Sequence, residues 1–259
     1  MCNIEEKAEE LMKELECFLN KHDKDPKKTL FHYTNFVGLK GILQTRRLWL
    51  TDHKYLNDPS EIAHGKNNIL NYIEKNITHN SNLQGFLKKT LADIIDQGYK
   101  TFLTSFCQRE DYLPAWRYYG DNGAGFAIGF NKKYFLRSDP SENIDKRDAT
   151  LLFRVSYSGS ETFTQFDDIF KIADEIFPDW KTKDFRTLHH YLVALTSGLL
   201  PILPRVKHTD YQDEHEWRLC IIRIYFEKEN QWYPTELPMD RFFIHELVNP
   251  SIPPICKKY

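Results

Sequence analysis

The sequence lacks a cysteine framework, a dominant charge and any long apolar run. Its five cysteines (Cys2, Cys17, Cys107, Cys220 and Cys256) are odd in number and widely spaced. None forms a C-x-x-C pair or a Cys/His pair at zinc-ligand spacing, so no metal site is expected, and a reducing compartment accounts for the set most simply. Lys and Arg number 35 against 37 Asp and Glu, a net charge of -2. The broad basic face needed for nucleic-acid backbone binding is therefore missing. No stretch approaches the ~20 apolar residues of a membrane span, and the first residues carry no signal-peptide h-region. Repeats and low-complexity segments are absent as well. The expectation is a protein made in a cytoplasm, without a membrane partner and with nucleic acid disfavoured.

What is present suits a folded body. The 259 residues are 41% hydrophobic and 14% aromatic, which allows one large domain or two small ones around a sizeable core. Ile4, Ala8, Leu11, Met12, Leu15, Phe18 and Leu19 recur at helical spacing, and the charged stretch Lys21 to Lys28 then reads as a linker. Residues 1–28 are thus read as an N-terminal amphipathic helix and linker, and 29–259 as a single domain. Leu30 to Tyr33 reads as a strand, and Thr34 or Asn35 can cap a helix with the apolar face Phe36, Leu39, Ile42 and Leu43.

Further strands are expected at Leu48–Thr51, Thr101–Cys107, Gly125–Phe130, Leu151–Tyr157, Trp217–Phe226 and Phe242–Val248. Helices are expected near Ser60–Asn76, Leu83–Gln97, Phe166–Phe177 and Phe185–Leu200, and a turn at Leu56-Asn57-Asp58-Pro59. The class is α+β with a helical insertion at about 160–204.

Several motifs can be set aside. His215-Glu216-Trp217-Arg218-Leu219 starts like H-E-x-x-H but has Leu219 where the second histidine belongs. There is no P-loop, no complete dinucleotide fingerprint around Gly123-Ala124-Gly125, and no G-x-S-x-G elbow. The remaining polar chemistry lies beside strands: His32-Tyr33, Thr104-Ser105 and Glu214-x-Glu216, with Tyr211 three residues earlier. An extended chain would project Glu214 and Glu216 from one face, where two carboxylates can divide acid–base and electrostatic work. A salt bridge between Glu216 and Arg218 is the alternative for that pair. His32 equally suits a satisfied core histidine, and Cys107 a small buried hydrophobe.

The blocks Phe31-His32-Tyr33-Thr34, Asn57-Asp58-Pro59-x-Glu61, Ser105-Phe106, Ala115-Trp116-x-x-Tyr119-Gly120, Gly125 to Phe130 and Tyr211-x-x-Glu214-x-Glu216-Trp217-Arg218 resemble an uncharacterised bacterial domain-of-unknown-function family over about 30–250. The order His32, Thr104-Ser105, Tyr211-x-x-Glu214-x-Glu216 is also similar to that of the mono-ADP-ribosyltransferases. That second resemblance implies an ADP-ribosyltransferase-like mixed β core and NAD as substrate. It puts Glu216 on the nicotinamide ribose, and Glu214 beside the acceptor. It implies His32 as holder of ribose and phosphates, Thr104-Ser105-Phe106 as the bracing strand, and Tyr211 as an acceptor contact. Tyr33, Trp49 or Phe106 would stack on nicotinamide.

The activity so implied is transfer of ADP-ribose to a protein acceptor, arginine being one candidate, by a bacterial toxin, delivered effector or defence protein. An NAD glycohydrolase is its close variant. A non-catalytic nucleotide- or partner-binding domain is the reading from another class, and a nucleic-acid-modifying transferase is disfavoured by the charge balance.

Overall fold

The structure, a computed structural model, describes residues 3–21, 29–46, 48–56, 60–131, 135, 149–157, 159–224 and 256–258. They form, in order, α1 (Ile4–Lys21), β1 (Thr29–Thr34), α2 (Phe36–Thr45), β2 (Thr51–Asp52), α3 (Glu61–Asn76), α4 (Ser81–Asp93), β3 (Tyr99–Cys107), α5 (Leu113–Tyr118), β4 (Phe126–Asn131), β5 (Ala149–Arg154), α6 (Gly159–Ile176), α7 (His189–Leu199), β6 (Glu216–Ile224) and β7 (Cys256–Lys258). The class is α+β, as the sequence implies. The expected linker at 22–28, turn at 57–59 and strand at 242–248 lie outside the described residues. Among the described residues no helix is long and apolar enough to cross a membrane.

Local chemistry explains most boundaries. Asn35 caps α2 by accepting the Gly38 N–H at 2.9 Å, and Asn80 does the same for α4 from Leu83. The strand expected from Leu48 shrinks to Thr51–Asp52. Leu48 and Leu50 are buried beneath α2, so core packing rather than a ladder holds that stretch. The insertion expected near 160–204 is realised as α6, α7 and a 3-10 segment at Leu200–Arg205.

The seven strands make one antiparallel sheet in the order β5-β6-β3-β1-β4-β7, with β2 also on β3. Strand β3 pairs with β6 along its whole length, from Tyr99↔Ile224 to Cys107↔Glu216. Its other edge is shared: β2 takes Phe102 and Leu103, and β1 takes Cys107 alone. Residues 104–106 therefore have no strand partner on that edge, and the sheet is split there.

Both faces of the sheet are covered. Alternation along β3 and β6 sends Leu103, Cys220 and Ile222 into a core shared with α1, α3, α4, α6 and α7. The intervening Phe102, Phe106, Trp217, Leu219 and Ile221 pack on the opposite side against Leu39 and Ile42 of α2. Two-sided burial is why Leu219-Cys220-Ile221-Ile222 within β6 reads as a continuous apolar run. Leu11 and Leu15 bury one face of α1 in the larger core, and a buried Arg205 reaches the Leu19 carbonyl at 3.4 Å.

Helix α3 packs on the 3-10 segment through Gly65, where an added Cβ would stand 2.8 Å from the Leu203 carbonyl oxygen. Glu61 lies one turn earlier on the same face. Gly65→Ala ordinarily favours a helix, but here it should destabilise the protein by about 1–3 kcal/mol through overpacking. Urea unfolding of the variant checks this; a stability equal to or above wild type would show that α3 can move off Leu203.

Candidate active site

The sheet split opens into a cavity of about 280 Å³. Its walls come from β1 (Phe31, His32, Tyr33), from β3 (103–107) and from Tyr55 and Leu56 beyond β2. Tyr118 and Tyr119 at the end of α5 add to them, and the floor is charged: Glu61, Lys207, Glu214, Glu216 and Arg218. The volume sits near the lower end of small-molecule sites, roughly 300–1,000 Å³.

The floor is built around Glu216, only 3% exposed, and Arg218, 1% exposed, two residues apart on β6 and so on one face. Arg218 grips Glu216 with two bonds, Nε to Oε1 at 2.7 Å and Nη2 to Oε2 at 3.0 Å. Its Nη1 donates to the Pro204 carbonyl at 3.0 Å. Ser105 points to the same face from β3 and donates to Glu216 Oε1 at 2.5 Å. Lys207 then touches three carboxylates: Glu214 at 2.7 Å, Glu216 at 3.1 Å and Glu61 at 3.3 Å. Glu61 also meets Arg218 at 2.6 Å as an ion pair without hydrogen-bond alignment. Tyr119 donates to Glu214 at 3.1 Å, and Tyr157 accepts the Glu216 N–H at 2.8 Å.

The carboxylates differ in proton affinity. Burial opposes ionisation of Glu216, but Arg218 and Lys207 outweigh it and hold the carboxyl down at about 2. Burial raises Glu214 above its ordinary value; Lys207 counters this and the Glu216 charge adds to it. Burial works against the Lys207 ammonium too, yet Glu216, Glu61 and Glu214 keep it protonated.

Glu214 and Glu216 come together, but not as an extended chain would bring them. Glu214 ends a 3-10 turn (Thr209–Glu214), and His215 is left-handed at φ 46° before β6 starts at Glu216. The pair converges because the chain kinks and one ammonium reaches both, not because alternate residues share a strand face.

His32 half-buries its ring in the sheet split, where its Nδ1 lies 3.0 Å from the Ser105 carbonyl and its ring centroid 5.8 Å from that of Phe106. A carbonyl only accepts, so Nδ1 carries the hydrogen. Burial lowers the ring's pKa, leaving a neutral imidazole with its lone pair on Nε2.

The other expected site residues divide. Ser105 reaches Glu216, whereas Thr104 and Phe106 alternate to the far side of β3 and line the cavity only at the split. Tyr33 lines the wall with its hydroxyl committed to backbone, donating to the Arg109 carbonyl at 2.7 Å and accepting the Tyr112 N–H at 3.2 Å. Tyr211 is not in the wall; its half-exposed ring sits 4.8 Å from the Lys207 ammonium. Trp49 is exposed and lies outside the cavity, so stacking on a ligand there falls to Tyr33, Phe106 or the tyrosines of the mouth.

Sequence reasoning assigned no role to Lys207, Glu61 or Tyr119. Lys207 had a weak signal, as the second cation, after Arg205, at the end of the apolar stretch Leu199–Pro204. Among the described residues no cluster of three or more His, Cys, Asp or Glu has metal-holding geometry.

Two outcomes are expected. His215→Gly should fold at least as stably as wild type, whereas His215→Val should lose about 1–3 kcal/mol, because a β-branched residue resists positive φ; chemical denaturation of both variants compares them. The lowered Glu216 value also fixes a sign. Its folded value of about 2 lies below the ordinary 4.5, so its stabilisation is complete above about 4.5 and is lost as pH falls toward about 2. Urea midpoints measured across that window should drop more steeply for wild type than for Glu216→Gln, and parallel curves would refute the assignment.

No curated protein and no solved structure matches the chain. A family model does, over a narrower span than the sequence blocks suggested. Residues 115–219, which carry Tyr119, Lys207, Glu214, Glu216 and Arg218, match the family described as Protein of unknown function (DUF2971).

Proposed function

We propose that the protein is an NAD-consuming ADP-ribosyltransferase, cleaving the nicotinamide–ribose bond and passing ADP-ribose to a protein acceptor. The observation that supports this reading is the charged floor of the aromatic cavity. Three carboxylates (Glu61, Glu214, Glu216) face two cations (Lys207, Arg218), leaving one negative charge in excess. A buried excess charge of that sign favours a cationic nicotinamide and, more strongly, the positive ribose centre that forms as the bond breaks.

The steps follow from that charge. The C1′–N bond breaks, and its electron pair leaves with nicotinamide. The acceptor nucleophile then bonds to C1′, and its proton passes to Glu214, whose burial-raised proton affinity suits a general base. Glu216 stays anionic throughout, held by Ser105 and Arg218. Neutral His32 offers Nε2 to a ribose hydroxyl. The cavity accommodates the nicotinamide ribose, and the diphosphate leaves past Tyr55 and Tyr118, which are 80% and 73% exposed at the mouth. Water in place of the protein acceptor makes the same site a glycohydrolase.

The two-bond grip of Arg218 on Glu216 favours a second reading, in which the cluster is structural and the cavity binds a ligand without turnover. Nicotinamide release from NAD, with and without added lysate, distinguishes the two. Wild type should release it, and Glu214→Gln and Glu216→Gln should fall by about 10² or more while circular dichroism shows both folded. Release that depends on lysate identifies a transferase, and release without lysate a glycohydrolase. Absence of release from folded wild type under both conditions would overturn the proposal in favour of the second reading.

A further inference from the structure

The most unusual group in the site is one that the reaction above leaves without a chemical step. Lys207 is 5% exposed, and its ammonium contacts carboxylates from three separate elements: Glu61 at the start of α3, Glu214 at the end of the 3-10 turn and Glu216 at the start of β6. It is itself fixed by main chain, since its N–H donates to the Ser156 carbonyl at 3.0 Å, beside the bridge that joins Val206 to Ser156. Arg218 reaches Glu216 and Glu61 but has no contact with Glu214. Among the described residues Lys207 is therefore the cation that links the two glutamates across the left-handed His215.

We propose that Lys207 is the positioning residue of this site: its ammonium holds Glu214 and Glu216 together, and Glu61 supplies the counter-charge that stops the two cations from neutralising them. The inference rests on the reading that Glu214 accepts the proton of the incoming nucleophile. Without Glu61 the cluster would hold two carboxylates against two cations, and the excess negative charge would vanish. Without Lys207, Glu214 would keep the Tyr119 hydroxyl but lose its ion pair.

The groups facing Glu214 set the direction of each change. They are Tyr119 from α5, Tyr157 after β5, Lys207, Glu216 and Arg218 of β6, and, beyond Lys207, Glu61 of α3. Lys207→Met removes a nearby positive charge, so Glu214 should take up its proton at higher pH. Glu61→Gln removes a negative charge, so Glu214 should lose its proton at lower pH.

The test is a carbon-13 NMR titration of glutamate-labelled full-length protein, with Glu214 assigned through Glu214→Gln. This readout needs no turnover, so it decides the inference even if nicotinamide release fails. Relative to wild type, the Glu214 midpoint should rise by about one pH unit or more in Lys207→Met, fall in Glu61→Gln, and stay near wild type in Lys207→Arg. If turnover is present, the Lys207→Met loss should fall on kcat rather than KM, and its acid limb should move with the titration. A Glu214 midpoint unmoved in folded Lys207→Met would overturn the proposal. If that variant fails to fold, Glu61→Gln decides alone: a downward shift supports the proposal and an unmoved or raised midpoint refutes it.

Discussion

A buried guanidinium gripping a buried carboxylate is the constraint around which this protein is arranged. Arg218 and Glu216 stand two residues apart at the start of β6, both almost wholly buried. Desolvating such a pair costs several kcal/mol per ion, and the loss is offset only when remaining hydrogen-bonding positions are filled. Here they are filled from distant parts of the chain by Ser105 of β3, the Pro204 carbonyl and Lys207, while Glu61 of α3 adds an opposite charge beside Arg218. Each contributor is held by its own packing, which is why Gly65 against Leu203 matters to a site one helical turn away. The ion cluster is thus both a clamp between the helical layer and the sheet and the floor of the cavity.

The second constraint is the interrupted edge of β3. Where β2 ends and before β1 begins to pair, residues 104–106 lack a strand neighbour on that edge, and a side chain substitutes for the missing ladder: His32 donates to the Ser105 carbonyl. Ser105 is consequently held twice, by its carbonyl toward the split and by its hydroxyl toward Glu216. A cavity at a strand gap has one wall of backbone and one of side chains, and the aromatic residues of β1 and α5 close it without adding charge. On the function proposed above, the excess negative charge of the floor governs what the cavity binds.

How much of this was legible in the sequence depends on the kind of interaction. The helices α1, α2 and α3 follow from periodicity, because one-sided burial leaves a 3.6-residue pattern, and β3 and β6 stand out as short apolar runs. Asn35 was readable as one of two candidate caps for α2. The site was half legible: Ser105, Glu214, Glu216 and His32 stand out as polar residues beside apolar strands, and all four meet at the cavity. Lys207 and Glu61 did not, since an ion pair between residues 146 positions apart has no periodicity, and either residue alone resembles a solvated surface charge. The left-handed His215 was invisible for a related reason, because nothing in a histidine signals positive φ. Two-residue spacing therefore predicted that the two glutamates would converge, but for a wrong geometric reason.

The central claim is that the floor of the cavity carries an excess negative charge and so selects a positively charged ring. Calorimetric titration of wild type with 1-methylnicotinamide, a pyridinium cation, beside neutral nicotinamide tests it without requiring catalysis. The account predicts that the cation binds at least about tenfold more tightly, a difference of about 1.4 kcal/mol, and that Glu214→Gln removes most of that preference. Equal affinities, or a preference for the neutral ring, would contradict it.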